Sequence, residues 1–263
     1  MKFGLSDKVA LVTGGSSGIG KATALALAAE GCNVCILARD TAKLESAATE
    51  IRAVTSANVF GLSGDVADAV GMAAHLDEVR RRLGPIDILV NNAGGPPPGS
   101  FLEHDDARWA ETLERNFMSV VRLSRAVSPS MKERRWGRIL NVTSTIAKEP
   151  TPAMVLSASA RAAVSAFGKA ISSELASFNI TVNTVCPGGV DTERVANLMA
   201  QTAQREGKQM EEILNRSVAM IPAQRLATPA EIAALMAFLA SEQASYLTGL
   251  SLMADGGLTK GVF

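Results

Sequence analysis

Lys8-Val-Ala-Leu-Val-Thr-Gly-Gly-Ser-Ser-Gly-Ile-Gly20 is an apolar run that breaks into a glycine-rich turn and then into an alanine-rich stretch. Val9 to Val12 do not alternate with polar residues, the pattern of a strand in a parallel sheet covered on both faces. Gly14, Gly18 and Gly20 suit three separate tasks: a tight turn, a close backbone approach to a pyrophosphate, and close packing of the following helix on the strand. Ser16, Ser17 and Ile19 fill the loop between them, where a helix N-terminus offers unpaired N–H groups to an anion. A glycine-rich loop alone says little. Here a strand precedes it, and a helix from Lys21 to Glu30, closed by Gly31, leads to a second strand, so the stretch predicts dinucleotide binding.

Further apolar runs at residues 33–37, 58–63, 86–90, 138–142, 180–186 and 250–254 alternate with helical patterns, and no linker-like segment interrupts them. We expect one domain over 1–263, a Rossmann-type α/β fold with a doubly wound parallel sheet of seven strands and helices on both faces. The 47% apolar content supplies a large core, while 26 basic against 26 acidic residues leave no net field for nucleic acid or anionic lipid. The first seven residues fall far short of a signal peptide and no run reaches membrane-spanning length, which points to a cytoplasmic protein. Three scattered cysteines agree with that compartment. Cys32 and Cys35 are spaced to point to opposite faces of a strand. His75 and His104 lack partners at ligand spacing, so both are expected at the surface and no metal site is expected.

The motif Thr13-Gly14-x-x-x-Gly18-x-Gly20, Asn91-Asn92-Ala93-Gly94 after the fourth strand, Asn116, Thr143-Ser144 and the stretch 183–192 together resemble the short-chain dehydrogenase/reductase family, over nearly the whole chain. The likeness is to a divergent set grouped beside the 3-oxoacyl-(acyl carrier protein) reductases. It implies an oxidoreductase interconverting a carbonyl and a hydroxyl group with a nicotinamide dinucleotide, possibly on 3-oxoacyl thioesters. At the tip of the second strand stands Ala38-Arg39-Asp40. The position carrying the ribose-binding acid in NAD-type members is Ala38, and Arg39 can accept a 2′-phosphate, which favours NADP(H) over NAD(H). Asp40 competes as a ribose acceptor or as a helix N-cap. Asp65 and Val66 match the adenine-side loop, although Asp65 could equally cap the next helix. By the same resemblance Asn92, Ala93 and Gly94 approach the cofactor, and Pro187, Gly188, Val190 and Thr192 belong to a nicotinamide-binding turn in which Val190 would meet the carboxamide and Thr192 the phosphates. The resemblance makes Asn116 the residue that kinks a long helix over 105–134 and holds a water of the proton relay, against a plain buried hydrogen bonder. It also implies a homo-tetramer or homo-dimer built on helices 105–134 and 153–178.

The proton-transfer pair departs from this pattern. Ser144 stands where the family orients the carbonyl, but the tyrosine expected thirteen residues later is Ser157 and the lysine four beyond it is Arg161. The surrounding Ser157-Ala-Ser-Ala-Arg161-Ala-Ala-Val keeps the shape of Tyr-Ser-Ala-Ser-Lys-Ala-Ala-Val, so no gap is needed. The single tyrosine, Tyr246, belongs to another segment. A serine hydroxyl is a poor proton donor and a guanidinium a poor shuttle, although Arg161 could still bind ribose hydroxyls. Lys148 is the nearest replacement in sequence, against an ordinary solvated lysine. Alternatives are a dinucleotide-binding module without turnover, and a lyase or isomerase on the same scaffold. Gly95-Pro-Pro-Pro-Gly99 is a stiff loop expected to wall the site. Residues 190–220 are expected to form a substrate lid, whose Val195, Leu198, Met199, Met210, Ile213 and Leu214 suggest an apolar small-molecule substrate or simply core.

Overall fold

Seven parallel strands form a single sheet in the computed structural model, which describes residues 3–262. They are β1 (Val9–Thr13), β2 (Asn33–Ala38), β3 (Val59–Ser63), β4 (Ile88–Asn91), β5 (Gly137–Val142), β6 (Ile180–Pro187) and β7 (Ser251–Ala254), in the spatial order β3-β2-β1-β4-β5-β6-β7. The order reverses between β1 and β4, and the groove beyond the strand ends at such a reversal is where ligands bind in sheets of this kind. The register brings Thr13 level with Leu37 on one side, and Val12 level with Val90 on the other.

The apolar runs fail to alternate because both faces are covered. Ala10, Val12, Val34 and Ile36 pack beneath α1 (Gly18–Ala29), α2 (Thr41–Val54) and α9 (Pro229–Ala240), while Val9, Leu11, Cys35 and Leu37 meet α3 (Ala69–Leu83), α5 (Ser119–Arg134) and α6 (Val155–Leu175). Cys32 lies in the first of these cores and Cys35 in the second, on opposite faces. Burial pushes both thiols up to about 12, so neither forms a thiolate near neutral pH.

The segment read as one helix over 105–134 is α4 (Asp106–Leu113), a π-turn over Glu114–Met118 and then α5, with Asn116 in the π-turn. The widened turn falls where the resemblance implied a kink. Between β6 and α9 lie α7 (Glu193–Glu206) and α8 (Met210–Ala219), joined by a small core of Met199, Ala203 and Ile213 with Val195 and Leu214 against it. Met199 and Ile213 are therefore core residues of this pair, and Met210 is exposed. The two histidines are not plain surface residues. His75 is half-buried, with its ring nitrogens against the Gly71 and Ser63 carbonyls, and His104 buries an unpartnered Nε2. Among the described residues, no helix is long and apolar enough to cross a membrane.

Candidate active site

A cavity of about 750 Å³ opens at the carboxyl ends of β1, β2, β4, β5 and β6. Its floor at one end is the glycine turn. Gly14 and Gly18 have φ of +59° and +52°, a region that L side chains rarely occupy. A Cβ on Gly14 would stand 2.6 Å from both Asn92 Nδ2 and Asn92 O, and one on Gly20 would stand 2.2 Å from Gly14 O. These positions exclude side chains because backbone and amide already fill the space. Asn92 Nδ2 donates to the Thr13 and Gly14 carbonyls, and Thr13 Oγ1 donates to Asn92 O while accepting from Asn92 N, locking the turn to the end of β4. Asn91 ties β4 to β5 through Asn141 Oδ1 at 2.9 Å. Ser16, Ser17, Gly18, Ile19, Asn92, Ala93 and Gly94 line the cavity, and Gly20 lies behind them.

At the tip of β2, Arg39 lines the cavity with its side chain 68% exposed, 3.9 Å from Asp65. Asp40 is the N-cap of α2, accepting from Lys43 N. Asp65 does not cap the next helix; Asp68 does. Asp65 accepts from Ala67 N and pairs with Arg115 at 3.0 Å. Burial tends to raise the Asp65 pKa, but those donors and Arg39 outweigh it and hold the carboxyl below its usual range. Val66, Pro187, Gly188, Val190 and Thr192 also line the cavity, and Thr192 caps α7 through Val195 N.

At the other end Ser144, Ser157 and Arg161 come together on the cavity wall as the spacing implied. Ser144 Oγ accepts from Ile146 N at 3.4 Å, leaving its own proton to donate. Ser157 is buried, and its Oγ accepts from Arg161 Nε at 3.1 Å. Arg161 Nη1 donates to the Val142 and Thr143 carbonyls, which pins the guanidinium to the end of β5. Burial, reinforced by Arg194, lowers the Arg161 pKa to about 10. Asn116 is buried and donates from Nδ2 to Gly94 O at 2.9 Å. It lies outside the main cavity, on a cleft of about 10 Å³ shared with Thr143 and Arg161, a volume matching one water.

One sequence candidate stays outside. Lys148 is exposed and absent from the cavity wall. Tyr246 is 98% exposed and also absent from that wall. Sequence reasoning missed Arg194, which lines the cavity beside Arg161 and donates to Pro96 O at 2.6 Å. Its signal was available, since a cation in the first turn of a helix opposes the dipole and asks for another reason to be there. The loop 95–99 is anchored by Gly99 N to Ala153 O at 2.8 Å, and its Gly95 reaches the cavity wall. Arg115, which holds Asp65, was likewise unforeseen.

Residues 8–203 match the family model described as short chain dehydrogenase. The 3-oxoacyl-(acyl-carrier-protein) reductase of Escherichia coli is 38% identical over 251 residues, covering 95% of this chain and 97% of that protein. The 2,3-dihydro-2,3-dihydroxybenzoate dehydrogenase of Bacillus subtilis is 36% identical over 259 residues, 98% of each. Among solved structures, L-sorbose reductase from Gluconobacter frateurii, complexed with NADPH and L-sorbose, superposes with a TM-score of 0.95 at 33% identity over 100% of both chains.

Proposed function

The chain belongs to the short-chain dehydrogenase family, and on that premise we propose that it is an NADP(H)-dependent oxidoreductase interconverting a carbonyl and a hydroxyl group. The observation that carries this reading is the convergence of Ser144, Ser157 and Arg161 on the same cavity as the glycine turn. The turn fits a dinucleotide, because the positions nearest its backbone exclude a Cβ and leave room for a pyrophosphate. Arg39 at the tip of β2 supports NADP(H), as does the NADPH-bound relative; Ala38 offers no acid to a 2′-hydroxyl, and the Asp40 carboxylate is engaged as a cap. We assign Gly14, Ser16, Ser17, Gly18, Ile19 and Gly20 to the pyrophosphate side, Arg39, Asp65 and Val66 to the adenosine side. Asn92, Ala93, Gly94, Pro187, Gly188 and Val190 fall to the nicotinamide side, with Arg161 reaching its ribose, and Thr192 joins the glycine turn at the phosphates.

A bound nicotinamide supplies or accepts the hydride at the carbonyl carbon; the protein must manage the charge left on oxygen. Ser144 and Ser157 each keep a hydroxyl proton free to donate to that oxygen, since the bond made by each Oγ in the resting site is one it accepts. Charge-assisted donation from Arg161 Nε to Ser157 is worth roughly 1.5–3 kcal/mol, about one to two pKa units. That cannot bring a serine hydroxyl into the titration range of a phenol. Ser157 therefore acts as a polarised donor that stabilises the developing alkoxide, with the Arg161 charge behind it, and the proton that completes the alcohol comes from solvent. One preorganised donor of this kind is worth about 10²–10³ in rate. The cleft shared by Asn116, Thr143 and Arg161 supports a single-water route to the same end. The family's other relatives make 3-oxoacyl thioesters one candidate substrate class, and α7 and α8 are suited to close over it as a lid.

The exposure of the only tyrosine favours a second reading, dinucleotide binding without turnover. Titrating the protein with NADPH and NADH by cofactor fluorescence, then following NADPH oxidation on 3-oxoacyl thioesters, 2-oxoacids and diketones, separates the two. Tighter NADPH binding with turnover on any class supports the enzyme; binding with none supports the module. We also infer a homo-oligomer paired through α5 and α6, for which light scattering at micromolar concentration is the check; a monomer refutes it.

A further inference from the structure

Arg161 and Arg194 face the same point of the cavity. A Cβ on Gly95 would lie 3.4 Å from Arg194 Nη2, 3.6 Å from Arg161 Nη2 and 3.9 Å from Ser157 Oγ. Two guanidiniums and a hydroxyl thus meet around one backbone carbon, with Arg161 half-buried. Among the described residues neither arginine makes an ion pair. Arg161 Nη2 has no partner there, and Arg194 has only the Pro96 carbonyl.

The acids of the cavity cannot serve as their counterions. Asp65 is held by Arg115, Glu193 by Lys43 at 2.9 Å, and Asp40 by its own helix cap. The wall as a whole carries five cations against three carboxylates, and the surplus sits at the Ser157 end. Holding two like charges together in a partly desolvated place is costly unless an anion completes the site. Desolvation lowers the pKa of both arginines, and the charge of Arg194 lowers that of Arg161 further. Met154, Ile146 and Leu198 line the same cavity and offer an apolar surface beside the charges.

We propose that Arg161 and Arg194 form a clamp for a substrate carboxylate, so that the compound reduced here is a 2-oxo or 3-oxo acid with an apolar tail. This rests on the reading of the cavity as a carbonyl-reducing site. The closeness of Ser157 Oγ to Arg161 Nε, 3.1 Å, sets the reacting carbonyl within one or two carbons of the acid. The carboxylate receives charge-assisted bonds from two sides, and the tail lies on Met154, Ile146 and Leu198. The cofactor's phosphates are not the intended anion, because their cradle is the glycine turn with Thr192 and Arg39.

The test is binding of two non-reducible probes, 3-phenylpropionate and its neutral amide 3-phenylpropionamide, to the protein–NADPH complex by calorimetry. The acid is expected to bind at least tenfold tighter than the amide. Arg194→Gln is expected to erase that preference, Arg194→Lys to retain part of it, and both to leave NADPH affinity within about twofold. Equal affinity for acid and amide in the unmodified protein overturns the clamp, as does failure of both to bind. A tenfold loss of NADPH affinity in Arg194→Lys assigns the arginine to the cofactor and overturns it too. Neither probe carries a ketone, so the clamp stands or falls independently of turnover, and an intact acid preference without turnover on any oxoacid counts against the proposed activity alone.

Discussion

The glycine end of the cavity and the serine–arginine end hold their shapes by different means. At the first, Gly14 and Gly20 sit where Asn92 and the turn's own backbone leave no space for a Cβ, and Gly18 has a φ of +52° that disfavours one. At the second, Ser157 and Arg161 project from α6, a helix that continues unbroken over Val155–Leu175 whatever side chains it carries there. Backbone constraints tie residue identity to the fold, so the turn keeps the family's sequence. Side chains on a helix face can be exchanged without altering the fold, so the chemistry at that end can drift while the scaffold stays. A change at the glycine end should therefore remove folding and cofactor binding together, and a change at the other end should alter chemistry or ligand choice alone.

The largest effect is expected from Gly20→Val, whose branched side chain must displace the Gly14 carbonyl 2.2 Å from its Cβ. NADPH affinity measured by fluorescence should fall by more than about 10²-fold, with a lowered melting temperature; a variant that binds normally would break the contrast. A milder change at the same end is Arg39→Ala. It should weaken NADPH by about tenfold and leave NADH nearly unchanged, because one charge-assisted bond to a 2′-phosphate is lost while the backbone cradle remains. Equal loss for both cofactors would remove Arg39 from that role.

A pH series sharpens the other end. The Arg161 guanidinium, lowered to about 10 by burial first and by Arg194 second, is charged below that value and neutral above it. Turnover and binding of 3-phenylpropionate should hold between pH 7 and 9 and fall as the pH rises through 10. A fall centred near 7 would assign the site to a different group. The smallest effect belongs to Lys148→Met, which should change turnover less than about twofold because this side chain is exposed and away from the wall.

Much of the architecture was legible because it follows from local rules. The unalternating apolar runs located all seven strands to within two residues, since a strand buried on both faces admits little else, and the glycine turn located the cofactor end because its dihedrals restrict identity. Ser157 and Arg161 were reached by counting on from Ser144 across the turn that precedes α6, and all three line the one cavity. The π-turn at Asn116 left no trace in the periodicity, since one widened turn shifts the apolar stripe by a single residue. Arg115 escaped because its partner, Asp65, lies 50 residues away, whereas Arg194 carried a readable signal in its place in the first turn of α7. His75 and His104 were expected at the surface, but each is half-buried against nearby backbone, His75 on the Gly71 and Ser63 carbonyls and His104 beside Gly99.

On the proposed function, Ser157, polarised by Arg161, takes the place of a phenol as the group that meets the developing alkoxide. The direct measurement is NADPH oxidation by the native protein and by Ser157→Ala on 3-oxoacyl thioesters, 2-oxoacids and diketones, with NADPH affinity followed in parallel. The expected result is turnover of at least one class by the native protein and a loss of about 10²-fold in Ser157→Ala with NADPH affinity unchanged. NADPH binding with no turnover on any class, or a Ser157→Ala variant as fast as the native protein, would contradict it.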